Sequence, residues 1–547
     1  MGSSTNLRLD LTNLPPAVER ASRAVLQRME SKSTNEDLIQ ELANLGRLRE
    51  EALTHHRATG AIFTPYPIAR ELTDLLTIDA GDVVCDPSAG PGIFLLAAAE
   101  RKFQMGESVS SIAETLKGID IDPVSIEVAR VTMRLWAAWR GGQWPSVDHL
   151  TVGDGLLAAP DSWYGSCDVV VGNPPFLGQL KSETSRTPQR AQALKERFGA
   201  LYTAYIDESM LFFLLAVELS HDDGKVALIV PSSVLGSDSS RLAREWIDTK
   251  LAVAGIWIGG RSVFDEAAVD VVAPILRSQE QDQCTIVKHG VEEGVLVPRP
   301  APGEWSSLLA VASGVPDVAF SNEVRLGGRA VVTADFRDAY YWLAERVREG
   351  TGNDDRPKLA TVGLIDPFRY LHGDKATRFA KQQFRRPVLQ IEDEPPPKLR
   401  TWLEHKQSPK LLVATQTRIV ECYADTSGEL LPSTPLVTIV PEQESELWHL
   451  MAAVASPAAS AWLAGIAAGT GLSQGTIRIR ASLLADLPLP NPSHAWDHGA
   501  ELAQRIQETG INDEALRAFG ETMNQAYNLS SVELLSWWST QLQKKRA

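Results

Sequence analysis

Between about residues 80 and 277, short apolar runs alternate with helical patterns, and no other feature of the chain limits its fold as strongly. Val83-Val84-Cys85, Lys117-Gly118-Ile119-Asp120, Leu150-Thr151-Val152, Asp168-Val169-Val170-Val171 and Val226-Ala227-Leu228-Ile229-Val230 read as strands. Between them, 124–139 and 206–220 read as amphipathic or apolar helices. Strands that are apolar at nearly every position are buried on both faces, which requires helices above and below. The expectation is an α/β fold with a parallel, doubly wound sheet, whose ligands lie at the carboxyl ends of its strands.

The flanks read differently. Residues 17–57 are expected to be helical, since Val25, Leu26, Met29, Leu38, Ile39, Leu42, Leu45 and Leu48 fall at mixed three- and four-residue spacing among charges. Residues 278–355 carry Pro, Gly and acidic punctuation and read as a connection plus a small irregular piece. The tail after Pro492 is helical and mixed in charge, with Trp537-Trp538 near its end, and suits a domain brace or a partner surface. At about 150 residues per domain, 547 residues make about three domains, with a core that needs neither disulfides nor metals. No apolar run approaches the roughly 18 residues of a membrane helix, and Met1-Gly2-Ser3-Ser4 does not start a signal peptide. Cys85, Cys167, Cys284 and Cys422 are scattered without a CxxC pair, which argues against a cysteine zinc site and fits a reducing, cytoplasmic setting.

Charge poses a puzzle. With 53 Lys+Arg against 69 Asp+Glu the net charge is −16, which on its own argues against a nucleic-acid partner. Its distribution does not. Arg356 to Val420 holds 13 Lys/Arg and 6 Asp/Glu, a local balance of +7 that leaves −23 for the rest. A basic segment within an acidic chain is either a solvated mixed-charge surface or the electrostatic footprint of a polyanion.

Four features follow strand ends in order. Asp86-Pro87-Ser88-Ala89-Gly90-Pro91-Gly92 opens a helix at Ile93, with glycines that let a ligand approach the helix N-terminus. Asp120, in Gly118-Ile119-Asp120-Ile121-Asp122-Pro123, could accept both hydroxyl hydrogens of a ribose, whereas Asp122, before a proline, suits a helix cap. Asp154, between Gly153 and Gly155, is either an acceptor for an adenine amino group or a turn residue. Asn173-Pro174-Pro175-Phe176 is the most specific: such a string arises by chance in roughly one chain in a few hundred of this length. Its prolines fix an extended backbone and remove two donors, leaving carbonyls and the Asn173 amide oxygen as acceptors beside a flat aromatic ring. Such a set suits a planar molecule bearing an NH₂ group.

Together with Gly60-Ala61-Ile62-Phe63-Thr64-Pro65 upstream, this order resembles the amino-methylating DNA methyltransferases of gamma motif order, that is, N6-adenine enzymes with a C-terminal target recognition domain. The resemblance implies a Rossmann-like S-adenosylmethionine-dependent core with N-terminal helices and a mixed α/β recognition domain. It divides the chain into an N-terminal helical segment (1–58), a catalytic domain (59–280), a connecting region (281–355), a target recognition domain (356–492) and a C-terminal helical segment (493–547). It implies that Phe63, Thr64 and Pro65 form an extra cofactor segment, and that Asp86, Ala89, Gly90 and Gly92 cradle the methionine part. Asp120 would take the ribose and Asp154 the adenine amino group; Asn173, Pro174, Pro175 and Phe176 would hold a flipped base. Softer matches lie at Gly224 to Ser233, at Val263-Phe264 to Ile275 as another apolar wall of the base pocket, and at Lys410–Ala414 and Gly471 through Leu487-Pro488-Leu489-Pro490 in the recognition domain. The basic segment then supplies DNA contacts through Lys381, Arg385 and Arg386, with Arg478 and Arg480 beyond it.

The implied activity is methyl transfer to adenine N6 in duplex DNA, in restriction-modification or phage defence, with a separate nuclease or defence subunits as partners. The same tetrapeptide also occurs in enzymes that methylate RNA bases or protein glutamine, and a non-catalytic DNA- or partner-binding subunit could retain the fold. Asp317 with Glu323-Val324-Arg325 suits a loop better than a metal nuclease, because Arg stands where Lys is expected and about 55 residues before the core are too few for a nuclease domain. The His55-His56 pair lacks partner ligands at useful spacing, so no metal site is expected.

Overall fold

A computed structural model describes residues 11, 13–30, 35–52, 63–176, 187–260, 263–264, 270–278, 282–291, 293–334, 337–352, 354–391, 394–471, 475–529 and 532–546. The chain divides into two compact units, Met1–Leu308 and Leu309–Ala547.

In the first unit, helices α1 (Pro16–Glu30), α2 (Asn35–Glu51) and α3 (Tyr66–Leu75) precede a ten-stranded sheet. Then come β1 (Val84–Asp86), α4 (Ile93–Gln104), α5 (Val109–Thr115), β2 (Leu116–Asp120), α6 (Pro123–Trp139), β3 (Leu150–Val152), α7 (Gly155–Ala158) and β4 (Cys167–Gly172). They are followed by α8 (Pro188–Phe198), α9 (Glu208–Leu219), β5 (Ser220–Leu228), β6 (Val230–Pro231), α10 (Arg241–Asp248), β7 (Ala252–Gly260), β8 (Val271–Arg277), β9 (Gln283–Lys288) and β10 (Val295–Pro298). Strands β3, β2, β1, β4 and β5 lie side by side and parallel, as the alternation implies. The chain winds outward from β1 to β3, then returns to place β4 on the other side of β1. That reversal opens a crevice at the carboxyl ends of β1 and β4.

The sheet is mixed, however, and not wholly parallel. Strand β8 runs antiparallel between β5 and β7, and β10 runs antiparallel to β9. Each begins soon after the preceding strand ends, at Val271 after Gly260 and at Val295 after Lys288, and connections that short join antiparallel strands, since a parallel crossover needs about a dozen residues or more. The strand expected over 226–230 is also interrupted, since Val230–Pro231 leaves β4 and pairs with β8.

The helical stretch expected over 17–57 is two helices, with 31–34 and 53–57, and hence His55-His56, outside the described residues. Val18, Val25, Leu38, Leu42 and Leu45 bury in the same core as Val84, Phe94 and Trp136. Each such aliphatic side chain contributes about 1.5–3 kcal/mol by leaving water, so the N-terminal helices are an integral layer of this unit.

The second unit contains two four-stranded sheets. One joins Ala330–Ala334, Val437–Pro441, Lys410–Val413 and Cys422–Asp425, and it shares an apolar core with helices His494–Thr509, Asp513–Ala526 and Val532–Arg546. The C-terminal helices are thus core elements here, and Trp538 is buried among them. The stretch 281–355 is more ordered than its punctuation suggests. Strands β9 and β10 extend the first sheet, while Val347–Glu349 pairs with Pro387–Leu389 in the second unit. Pro316-Asp317 to Glu323 is irregular backbone. No single described helix is long and apolar enough to cross a membrane; the apolar pair over 444–467 is bent by 58° and largely buried in the second unit's core.

Candidate functional site

The crevice of the first unit gathers the motifs. Asp86 ends β1 and Asn173 follows β4, and a Cβ built on Gly172 would stand 2.5 Å from Asp86 Oδ1. Only glycine at 172 lets the two strand ends meet this closely. Asp86 is buried, accepting hydrogen bonds from the Ser88 N–H at 3.0 Å and its hydroxyl at 3.5 Å. Burial pushes its carboxyl up to about 8, the Ser88 N–H opposes that, and Asp120 adds to it.

The turn after Asp86 needs its glycines. Gly90 and Gly92 adopt left-handed backbone, with φ of 51° and 85°. Gly92 caps α4, and a Cβ there would press on Ala129 at 2.9 Å. On Gly90 a Cβ would meet nothing within 4 Å, so the loop presents bare backbone to open space. The Ala89 N–H donates to the Ile119 carbonyl at 2.9 Å, stitching the loop to β2.

Asp120, at the end of β2, accepts the Gly90 N–H at 2.8 Å on Oδ2 and the Asp122 N–H at 2.9 Å on Oδ1. It therefore organises the glycine loop as well as facing the crevice, and burial holds its pKa above the ordinary range. Asp122 caps α6 through the N–H groups of Val124 and Ser125, as expected of an acid before proline. Asp154 takes the turn role and adds a contact the sequence did not suggest. It caps α7 through the Leu156 N–H at 3.1 Å, and it also forms an ion pair with Arg190.

Of the upstream segment, Phe63, Thr64 and Pro65 are described and residues 60–62 are not. Thr64 is buried, and its Oγ1 accepts from Asn173 Nδ2 at 3.0 Å. That bond fixes the amide, making the other end an acceptor oxygen. Pro174 is buried, Pro175 and Phe176 are half-buried, and Phe176 and Phe63 both pack against the core. Val263, Phe264 and Ile275 are buried in that core too.

Four contributors escaped sequence reasoning. Arg49 and Glu50, on α2, are both buried beside the loop after β2; Arg49 Nη2 bonds Asp122 Oδ2 at 2.7 Å. Burial pushes Glu50 up to about 7; Arg49 opposes this, while Asp120 and Asp122 reinforce it. One turn earlier, Gly46 lies against Pro91 and Phe63, where a Cβ would come within 3.0 Å of Pro91 Cγ. An i, i+3, i+4 set of small, basic and acidic residues carries no recognisable signal in a helix of mixed charge. The fourth is Arg190, 36 residues from its partner Asp154.

In the second unit, Lys381, Arg385 and Arg386 belong to one neighbourhood. Lys381 is exposed at the turn of the hairpin Thr377–Phe379/Gln382–Phe384, with φ of 65°. Arg385 Nε bonds the Gly373 carbonyl at 2.9 Å, and Arg386 lies against Gly373, so both side chains pack onto a backbone turn. Arg478 is exposed on the strand Ile477–Arg478, and Arg480 is half-buried at the start of the helix Ala481–Ala485; residues 472–474 lie outside the described residues. The basic segment is weaker at the surface than its count implies, because Lys406 and Lys410 are buried. Lys410 pairs with Asp425 at 2.5 Å.

Residues 46–289 match the family model of the N-6 DNA methylases. The chain resembles the N6-adenine DNA methyltransferases. The Type II methyltransferase M.VspI of Vibrio sp. (strain 343) is 23% identical over 206 residues, a match covering 37% of this chain and 44% of that relative. The chain thus spans less than half the length of the curated relative it matches. Among solved structures, the Type IIL restriction-modification enzyme MmeI in complex with DNA has a TM-score of 0.55 at 14% identity, covering 94% of this chain and 79% of that one. The DrdV–DNA complex has a TM-score of 0.51 at 13% identity, covering 91% and 62%. At these identities the likeness carries the fold. The methylase match implies S-adenosylmethionine as cofactor.

Proposed function

We propose that this protein transfers a methyl group from S-adenosylmethionine to N6 of an adenine flipped out of duplex DNA, within restriction-modification or phage defence. The observation that carries the reading is Asn173-Pro174-Pro175-Phe176 leaving β4 against Asp86, with Asn173 oriented through Thr64. The methylase match over 46–289 supports it.

The residues at the strand ends fit the cofactor. Bare left-handed backbone at Gly90 and three acids at successive strand ends provide acceptors for an ammonium, a ribose diol and an amino group. Asp86, Ala89, Gly90 and Gly92 would hold the methionine part, Asp120 the ribose and Asp154 the adenine, with Phe63, Thr64 and Pro65 alongside. When bound, the cofactor supplies an electrophilic sulfonium methyl. The exocyclic nitrogen of adenine is a poor nucleophile because its lone pair is delocalised into the ring. Acceptance of its two N–H groups by Asn173 Oδ1 and the Pro174 carbonyl favours a tetrahedral nitrogen and localises that pair for in-line attack. The nitrogen becomes acidic as it is alkylated, so no strong general base is needed. Stacking on Phe176 would offset part of the few kcal/mol spent extruding the base. Lys381, Arg385, Arg386, Arg478 and Arg480 would engage the duplex.

Methylation-sensitive long-read sequencing of cells with and without the gene tests this reading, and a strand-specific N6-methyladenine motif is the expected result. Purified Asn173→Ala should bind S-adenosylmethionine yet transfer no methyl group. Wild-type protein that modifies RNA or protein glutamine instead would reassign the substrate. Wild-type protein inactive on any DNA, with no motif in the genome, would leave a non-catalytic binding subunit.

A further inference from the structure

Asp154 is the acid that the proposed function gives to the adenine amino group of the cofactor, and its surroundings go beyond what that role requires. Its Oδ1 takes the Leu156 N–H, while Oδ2 pairs with Arg190 Nη1. The other arm of the same guanidinium, Nη2, pairs with Glu208, whose side chain is 1% exposed at the first turn of α9. Asp154 and Arg190 are themselves largely buried, with side-chain exposures of 17% and 26%. Arg190 lies in the first turn of α8, where the Thr187 hydroxyl accepts its backbone N–H at 3.3 Å and so fixes its origin. Three charges from three helix starts thus form one line, Glu208–Arg190–Asp154.

We propose that Arg190 is a positioning residue that sets the specificity of the cofactor pocket for an adenine amino group, by holding the Asp154 carboxylate in one orientation at the carboxyl end of β3. The inference rests on the methyl-transfer reading given above. A hydrogen bond weakens steeply as its acceptor turns out of line, so a carboxylate discriminates an N–H group best when its rotation is fixed. A guanidinium locked between two carboxylates is itself held still, and its planar fork fixes the rotation of the Asp154 carboxylate. Each carboxylate oxygen offers two acceptor directions, so Oδ1 and Oδ2 still have capacity after Leu156 and Arg190 are served. Glu208, with a side chain only 1% exposed, holds the other arm of the guanidinium. An isolated Asp–Arg pair would leave Arg190 free to swing toward a ligand; the second carboxylate prevents that.

The test compares two ligands, S-adenosylhomocysteine and S-inosylhomocysteine, in which an oxo group replaces the adenine amino group. Wild-type protein should prefer the amino ligand. Arg190→Gln strands a buried charge on Glu208 and could lose its fold for that reason alone, so the decisive variant is the double Arg190→Gln/Glu208→Gln, which removes both members. With folding verified by thermal melt, the double variant should bind S-adenosylhomocysteine about tenfold more weakly while S-inosylhomocysteine is nearly unaffected, collapsing the preference. Arg190→Lys, which keeps the charge but loses the fork, should fall between. A merely structural role would move both ligands together or neither, so an unchanged preference in the folded double variant overturns the inference. Wild-type protein that binds neither ligand would instead overturn the cofactor reading on which it stands.

Discussion

Asp86 links the crevice to pH in a way that can be measured. Its carboxyl is 1% exposed, and burial lifts it from 3.8 to about 8. With that value, about 10% of the ligand-free protein carries an ionised Asp86 at pH 7 and about 1% at pH 6. If the ammonium of the methionine moiety requires the ionised form, each pH unit below 8 weakens binding about tenfold, equivalent to about 1.4 kcal/mol. The dissociation constant for S-adenosylhomocysteine should therefore fall about fiftyfold between pH 6 and pH 8. Binding near pH 6.5 should also release close to one proton, which calorimetry in two buffers of different ionisation enthalpy reads directly. Asp86→Asn is nearly isosteric with the protonated acid, so it should fold yet bind weakly at every pH. The stability term has the opposite sense to binding. Because the folded value lies above the unfolded one, Asp86 contributes most below its unfolded pKa of 3.8, and that contribution is lost as pH rises through about 8. Asp86→Asn should accordingly gain on wild type progressively in melts taken from pH 4 to pH 8, with no further gain above. An affinity that stays flat from pH 6 to 8 without proton release, or an Asp86→Asn protein that binds like wild type, would refute the reasoning.

Further outcomes follow from particular contacts. Gly172→Ala would set a Cβ 2.5 Å from Asp86 Oδ1, and should abolish cofactor binding in calorimetry and lower the melting temperature. Replacing exposed Lys375, Arg378 and Lys381 with Gln removes three cations around one hairpin; fluorescence titrations at several salt concentrations should show the log–log salt slope of DNA binding reduced by about 2.7. An unchanged slope would put the duplex on another face. Lys410→Met leaves Asp425 as a lone buried charge and should cost about 3–5 kcal/mol in urea unfolding of the second unit, with cofactor binding to the first unit retained.

The sequence by itself determined the parts of this protein that rest on local pattern. Continuous apolar runs fixed the parallel strands β3-β2-β1-β4-β5, since only a sheet covered on both faces can bury such runs. Turn chemistry located the ligand-facing ends: Gly90 and Gly92 take left-handed backbone, Asp122 caps α6, and Asn173 follows β4. Each of these depends on residues within a few positions of one another. What tertiary structure decided depends on residues far apart in the chain. The antiparallel insertion of β8 between β5 and β7 is a choice among neighbours, and its strand pattern reads the same in either direction. The burial of Lys406 and Lys410, which thins the basic footprint, has no local signature, because a lysine's surroundings are set by the strands that close over it. Likewise, Arg49 reaches Asp122 across 73 residues, and Arg190 reaches Asp154 across 36. Charge pairs of that kind arise only where packing brings helix ends together. Pattern therefore placed the acids at the strand ends, and packing supplied the cations that hold two of them in place.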